Sequence, residues 1–265
     1  MQNGLFVITK VPVTITVKNV KMVYSGQEYD DSTLTADTTV LPVNGDKLKY
    51  TLSTNGATDV NTDGYPITVT ASATDNPNYD ITVVSGQLII KPNTTAKIAV
   101  DPGSKTYDGT TKVDASQYKV GLPTGMTAPT WSAADFDFSG ITSADVGSNY
   151  SMTLSDQGIA DLQKLNPNYT ITRDNVTAGS FTISKAAVTI TADKASMTYT
   201  GQAYDDAKLT ATPTGVPSQG AKLKYTLSTN GATDVNTDGY PITVTASATD
   251  NPNYDITVVS GQLII

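Results

Sequence analysis

Three observations predict a mostly β chain made of tandem small domains. Aliphatic and threonine residues alternate over short runs, turn-forming pairs separate the runs, and one long block is duplicated outright. Residues 47–90 return letter for letter as residues 222–265, an offset of 175 positions. The same register holds beyond the block, where Gly4 aligns with Gly179, residues 13–16 with 188–191, and residues 27–31 with 202–206. Self-similarity at a fixed period marks a repeat architecture, each copy being one structural module.

A shorter period lies inside the longer one. Three segments close alike: Asn76-Pro77-Asn78-Tyr79 leads to residues 86–90, Asn166-Pro167-Asn168-Tyr169 to 179–183, and Asn251-Pro252-Asn253-Tyr254 to 261–265. Each also opens alike, with Tyr24-Ser25-Gly26, Tyr107-Asp108-Gly109 and Tyr199-Thr200-Gly201. The closing glycines at 4, 86, 179 and 261 stand 82, 93 and 82 positions apart. This spacing predicts two near-identical A repeats, 12–91 and 187–265, flanking a diverged B repeat, 92–186. Residues 1–11 read as the last strand of a preceding repeat, which makes the chain a piece of a longer array.

Within an A repeat the strands follow from period-two alternation. Residues 13–17 (VTITV) and 67–70 (ITVT) put aliphatic groups on one face and threonines on the other. Threonine is β-branched, which favours extended backbone while its hydroxyl meets water. Residues 47–53, 79–84 and 87–90 read the same way. Ser25-Gly26, Asn44-Gly45, Asn55-Gly56, Asp63-Gly64, Asn76-Pro77-Asn78 and Ser85-Gly86 supply the turns. Residues 31–38 suggest a short helix, and residues 155–165 (SDQGIADLQKL), an insertion in B, suggest a longer one. Roughly five or six short strands per repeat give a β-grasp-like unit or a small sandwich. The linkers at 91–95 and 185–187 are short and allow little bending. The repeats are therefore expected end to end, as an elongated, monomeric rod.

Composition narrows the function. Cysteine and histidine are absent, Glu28 is the sole glutamate and Arg173 the sole arginine. No disulfide or thiolate site can support the core. A serine or threonine nucleophile has no histidine to take its proton, zinc lacks its usual ligands, and neither glycine-rich phosphate motif occurs. No enzyme is expected. The net charge of −8 argues against nucleic acid, whose recognition needs clustered cations. No run of 18 apolar residues exists to insert into a membrane. Abundant Thr, Asn, Asp, Ser and Gly, with Lys far outnumbering Arg, suits a secreted Gram-positive surface protein.

The Tyr-x-Gly opening, the Asn-Pro-Asn-Tyr-x-Ile turn and the closing Gly-x-Leu/Phe-x-Ile strand resemble the MBG-type repeats of large cell-wall-anchored adhesins of lactobacilli. Tyr107-Asp108-Gly109-Thr110-Thr111 in B resembles the related YDG variant. The resemblance spans essentially the whole chain and implies a compact, mostly β module in extracellular proteins that attach to mucus and epithelia. Host mucin glycans or glycoproteins are the partners it implies; no ligand-binding residues come with it. One departure stands out. Where many such repeats read as Ala144-Asp145-Val146-Gly147-Ser148-Asn149-Tyr150 does, the A repeats have Asp59-Val60-Asn61-Thr62-Asp63-Gly64-Tyr65.

Three groups of residues are candidate sites. Asp59, Asn61 and Asp63 before Gly64, repeated as Asp234, Asn236 and Asp238, have the opening spacing of a calcium loop. Thr70 stands where an EF-hand would place its bidentate glutamate, so a plain polar turn competes with Ca2+ binding. Asp30-Asp31 and Asp205-Asp206 are adjacent carboxylates. On a strand, neighbours point to opposite faces, so a helix N-terminus or a solvated turn suits them better than acid/base work. The aromatics Trp131, Phe136 and Phe138 in B, with Tyr50, Tyr65 and Tyr79 in A, suit either a glycan-stacking platform or ordinary core. Trp131, the one tryptophan, is the foremost ligand-binding candidate.

Two functions follow from this reading. In one, the repeats bind mucin and gain strength through multivalency. In the other they are a stalk that presents a separate binding domain. A third, more remote, is a glycan-anchoring module of a secreted polysaccharide-synthesising enzyme.

Overall fold

The computed structural model describes residues 4–39, 41–42 and 45–265. Residues 1–3 of the expected leading strand and Asn44 of the expected Asn44-Gly45 turn lie outside them. Short strands dominate, with one α-helix among the described residues, Asp156–Leu165, where the insertion in B was expected to be helical. The chain packs as two compact units. The first holds residues 1–97, 123–129 and 159–175, the second 98–122, 130–158 and 176–265, so the middle segment contributes to both.

In the first unit, Val11–Val17 is the centre of a three-stranded sheet. It pairs antiparallel with Ala36–Thr38 and parallel with Tyr79–Val84. Alternation sends Val13, Ile15 and Val17 into the core and Thr14 and Thr16 to the opposite face. A second sheet centres on Gln87–Lys91, flanked by Val20–Val23 in parallel and by Asn61–Pro66 antiparallel. Val17 of one sheet and Leu88 and Ile90 of the other share a single cluster with Leu34 and Ile67.

The second unit contains this plan again. Ala186–Ala192 lies between Ala211–Thr214 and Tyr254–Val259, and Gly261–Ile264 lies between Ala195–Ser196 and Tyr240–Thr245. Ile190, Ala192, Ile242, Val244, Leu263 and Ile265 form its core. Residues from the middle segment follow the same order: Ile98–Val100 pairs parallel with Val176–Thr177, and Gly103–Thr106 pairs parallel with Gly179–Ser184.

Among the described residues, no strand pairs with residues 4–10, and Leu5, Phe6 and Ile8 are exposed. Three expectations need correction. Of residues 47–53, only Thr51–Ser53 is a strand. The Asn76 side chain replaces a strand partner for Lys49, accepting from its N–H at 2.8 Å and donating to its carbonyl at 2.9 Å. The short helix expected over 31–38 is a single 3-10 turn, Asp31–Thr33, followed by Ala36–Thr38, because the edge of Val11–Val17 is there to pair with it. Residues 185–187 are no linker, since Ala186 already begins a strand.

The paired aspartates divide their work. Asp30 caps the turn, its carboxylate accepting from Ser32 N–H at 3.0 Å. Asp31 instead ties the end of Thr51–Ser53, accepting from the Ser53 hydroxyl and from the N–H and hydroxyl of Thr54 at 2.7–3.0 Å. Asp206 does the same with Ser228 and Thr229. The Thr229 hydroxyl, against some opposition from burial, and then the Thr229 N–H and Ser228 hydroxyl hold the Asp206 carboxyl below its usual range. A folded carboxyl with a lowered pKa stabilises the fold above the unfolded value, about 3.9, and that stability is lost as pH falls through the folded value. Asp206→Asn is expected to cost about 1–3 kcal/mol at pH 7. The gap from the parent should shrink in thermal melts taken from pH 7 down to pH 3, whereas a pH-independent gap would assign the effect to shape alone.

Candidate functional site

In the second unit an aromatic cluster forms around Phe136, which is buried at the start of strand Phe136–Asp137. Trp131 leans on Phe136 at 5.7 Å between ring centroids, Phe138 stacks on it at 5.9 Å, and Tyr118 lies 4.2 Å away. Phe136 is therefore core, while Trp131, Phe138 and Tyr118 are half-buried. Beside Tyr118 lies a recess of about 300 Å³, lined also by Asp101, Ser104, Ser116, Gln117 and Lys119. Half-exposed rings next to such polar groups suit stacking on a sugar face and hydrogen bonding to its hydroxyls. In the A repeat, Tyr79 is buried and donates to the Asp46 carbonyl, and Tyr50 and Tyr65 are half-buried.

The asparagines of the Asp/Asn loops bond their own turns. Asn61 Oδ1 accepts from the N–H groups of Asp63 and Gly64, both at 3.0 Å, and Asn236 does the same for Asp238 and Gly239. Gly64 and Gly239 have φ of +96° and +89°, the left-handed backbone that such a turn requires. Asp59 turns away to accept from Asn168 Nδ2 at 2.9 Å. Among the described residues, no three acidic side chains gather as metal ligands.

That Asp59–Asn168 bond belongs to a constellation which sequence reasoning missed. Asn168 Oδ1 also accepts from Val60 N–H at 2.8 Å, so one carboxamide bridges an Asp-Val pair. Next to it, Tyr24 and Tyr169 meet edge to face at 5.3 Å, and Asn93 bridges Tyr169 through the backbone. The second unit contains the same set. Asn253 bridges Asp145 and Val146 N–H, each at 2.8 Å, and Tyr107 meets Tyr254 edge to face at 5.4 Å. The Asn253 hydrogen bond, then that of Ser143, lowers the Asp145 pKa against a smaller effect of burial. Burial, and next the neighbouring Tyr24 or Tyr107, raises the hydroxyl pKa of Tyr169 and Tyr254. Asp-Val recurs at 59–60, 145–146 and 234–235, and the first two pairs stand one repeat ahead of the Asn-Pro-Asn-Tyr turns at 166–169 and 251–254, a recurrence that marks the pairs without showing that they meet those turns.

A family model described as the MBG domain matches residues 94–185. A second, the MBG domain of YGX type, matches residues 13–89 and again 188–264. Among solved structures, a cell surface adhesin from Lactobacillus reuteri aligns over 33% of this chain and 93% of its own, at 27% identity and a TM-score of 0.27. A search of the curated proteins returned no match. Since the YGX-type model alone spans more than half of the residues, the chain belongs to the MBG domain family.

Proposed function

We propose that these repeats form a non-enzymatic region of a cell-wall-anchored Gram-positive surface adhesin, attaching to host mucus glycoproteins and projecting from the cell. The observation behind this reading is repetition: three family-type repeats in one chain, two of them sharing an unbroken identical block of 44 residues. Copies that match so closely contribute equally to avidity, and linked weak sites raise effective concentration. In each A repeat two sheets share one core, which supports a small sandwich. The repeats are taken to follow one another in series, from residue 12 to 91, 92 to 186 and 187 to 265. Trp131 and Tyr118, with the polar recess beside Tyr118, are the proposed glycan contacts.

The test is binding of the purified chain to immobilised mucin. Binding should strengthen steeply with repeat number, and Trp131→Ala should weaken it about tenfold, the equivalent of about 1.4 kcal/mol per lost stacking contact. An absence of binding at every repeat number would leave the spacer reading, which the direct side-chain bridges at 59–60 and 145–146 favour. Each such bridge ties residues of one repeat to the turn of the next.

A further inference from the structure

The two bridged sets leave a third that is half-complete. Residues 222–265 are identical in sequence to 47–90, so any difference in exposure between them comes from their surroundings. Val60, against Asn168, is half-buried, whereas Val235 is 63% exposed. Tyr24, against Tyr169, is half-buried, and its counterpart Tyr199 is 56% exposed. The comparison also runs in the other direction. Asn253, bridging Asp145 and Val146, is 5% exposed, while Asn78 in the same sequence context is exposed and donates to Asp46 of its own repeat.

We propose that Tyr199, Asp234 and the backbone amide of Val235 form a docking socket for the Asn-Pro-Asn-Tyr turn of another MBG repeat. The occupant is specified by chemistry already present twice. A carboxamide donates to the aspartate and accepts from the valine N–H, and a tyrosine edge packs on the socket tyrosine. A carboxylate in place of the carboxamide would meet Asp234 with like charge and lack the N–H donor. Docking of this kind is independent of mucin binding, which neither supports it nor is needed for it.

The test extends the chain by a second copy of its own residues 91–186 placed directly after Ile265, which reproduces the Ile90–Lys91 connection. Nitration of Tyr199, quantified on the peptide running from Ala195 to Lys208 and distinguished there from Tyr204, is compared with that of Tyr24 in the same sample. Tyr199 reactivity is expected to fall several-fold, to the level of Tyr24, and to return when the appended copy carries Asn168→Asp. Equal Tyr199 reactivity in the extended and parent chains would overturn the proposal. Protected amides in the appended strand equivalent to Gly179–Ser184 report that the addition has folded. If it has not, residues 91–265 are appended instead, with the same fall in Tyr199 reactivity expected and the same equality overturning the proposal.

Discussion

Replacing Asn166 by alanine is expected to destabilise the protein by about 2–4 kcal/mol, far more than a polar loop residue usually costs. Asn166 is 4% exposed, and its carboxamide makes three hydrogen bonds. It accepts from Thr127 N–H at 2.7 Å, donates to Thr127 O at 2.9 Å, and donates to Leu162 O in the last turn of the helix at 2.7 Å. The first two bonds imitate a strand partner for an irregular stretch, and the third satisfies a helix carbonyl that has no partner within the helix. Alanine removes all three and leaves the Leu162 carbonyl buried without a donor. Asn166→Asp separates shape from chemistry. It keeps the acceptor toward Thr127 N–H but turns an anionic oxygen toward two carbonyls, so it should be at least as damaging at pH 7. Its stability should rise as pH falls through the carboxylate range, since the added proton restores one donor. Urea unfolding of the two variants checks this, and a loss below ~0.5 kcal/mol for alanine would reduce Asn166 to an ordinary surface residue.

Asn76 and Asn251 hold the same position in the A repeats, bridging Lys49 and Lys224 through the same pair of backbone groups. This explains where the sequence was legible and where it was not. Residues 13–17 and 87–90 alternate because each has one face on a core, and their burial follows that period, whereas in 79–84 it does so only as far as Thr82, with Val83 and Val84 both exposed. Residues 47–50 alternate as well, yet their backbone partner is a side-chain amide and not a strand. Periodicity reports a buried face; it carries no information on what closes the backbone hydrogen bonds. The helix at 156–165 was legible because an insertion lacking a turn cluster leaves little else for those residues to form. The Asn168–Val60 bridge was not, since its partners stand 108 positions apart and neither has an unusual residue type. Trp131 drew attention by rarity, whereas the tyrosines that meet edge to face were hidden among many.

The Tyr-Asp-Gly-Thr-Thr motif of the middle repeat leads to the second large effect, at a residue just outside it. Lys105→Met is expected to cost about 2–4 kcal/mol, since it takes a charged donor from two backbone carbonyls as well as from Asp108. The Lys105 side chain is 3% exposed. Its ammonium reaches Asp108 Oδ1 at 2.9 Å, Thr110 O at 2.7 Å and Lys112 O at 2.8 Å, which use its three donors. Asp108 in turn accepts from the N–H and hydroxyl of Thr110, at 2.8 and 2.9 Å. The lysine hydrogen bond and those of Thr110 together outweigh burial, the largest single influence, and hold the Asp108 carboxyl below its usual range. Between them sits Gly109 at φ +80°, where an added Cβ would fall 2.0 Å from the Gln219 carbonyl. The motif is thus a loop folded around one cation, with glycine at the single point that admits no side chain. Methionine preserves length and burial but leaves the Thr110 and Lys112 carbonyls without their donor. Asp108, half-exposed, can turn to water, so Asp108→Asn should cost less than Lys105→Met. A double-mutant cycle then measures their coupling, expected at about 1–2 kcal/mol. If Lys105→Met melted within ~0.5 kcal/mol of the parent, the loop would be held by Asp108 and Gly109 alone, and the buried lysine would need another explanation.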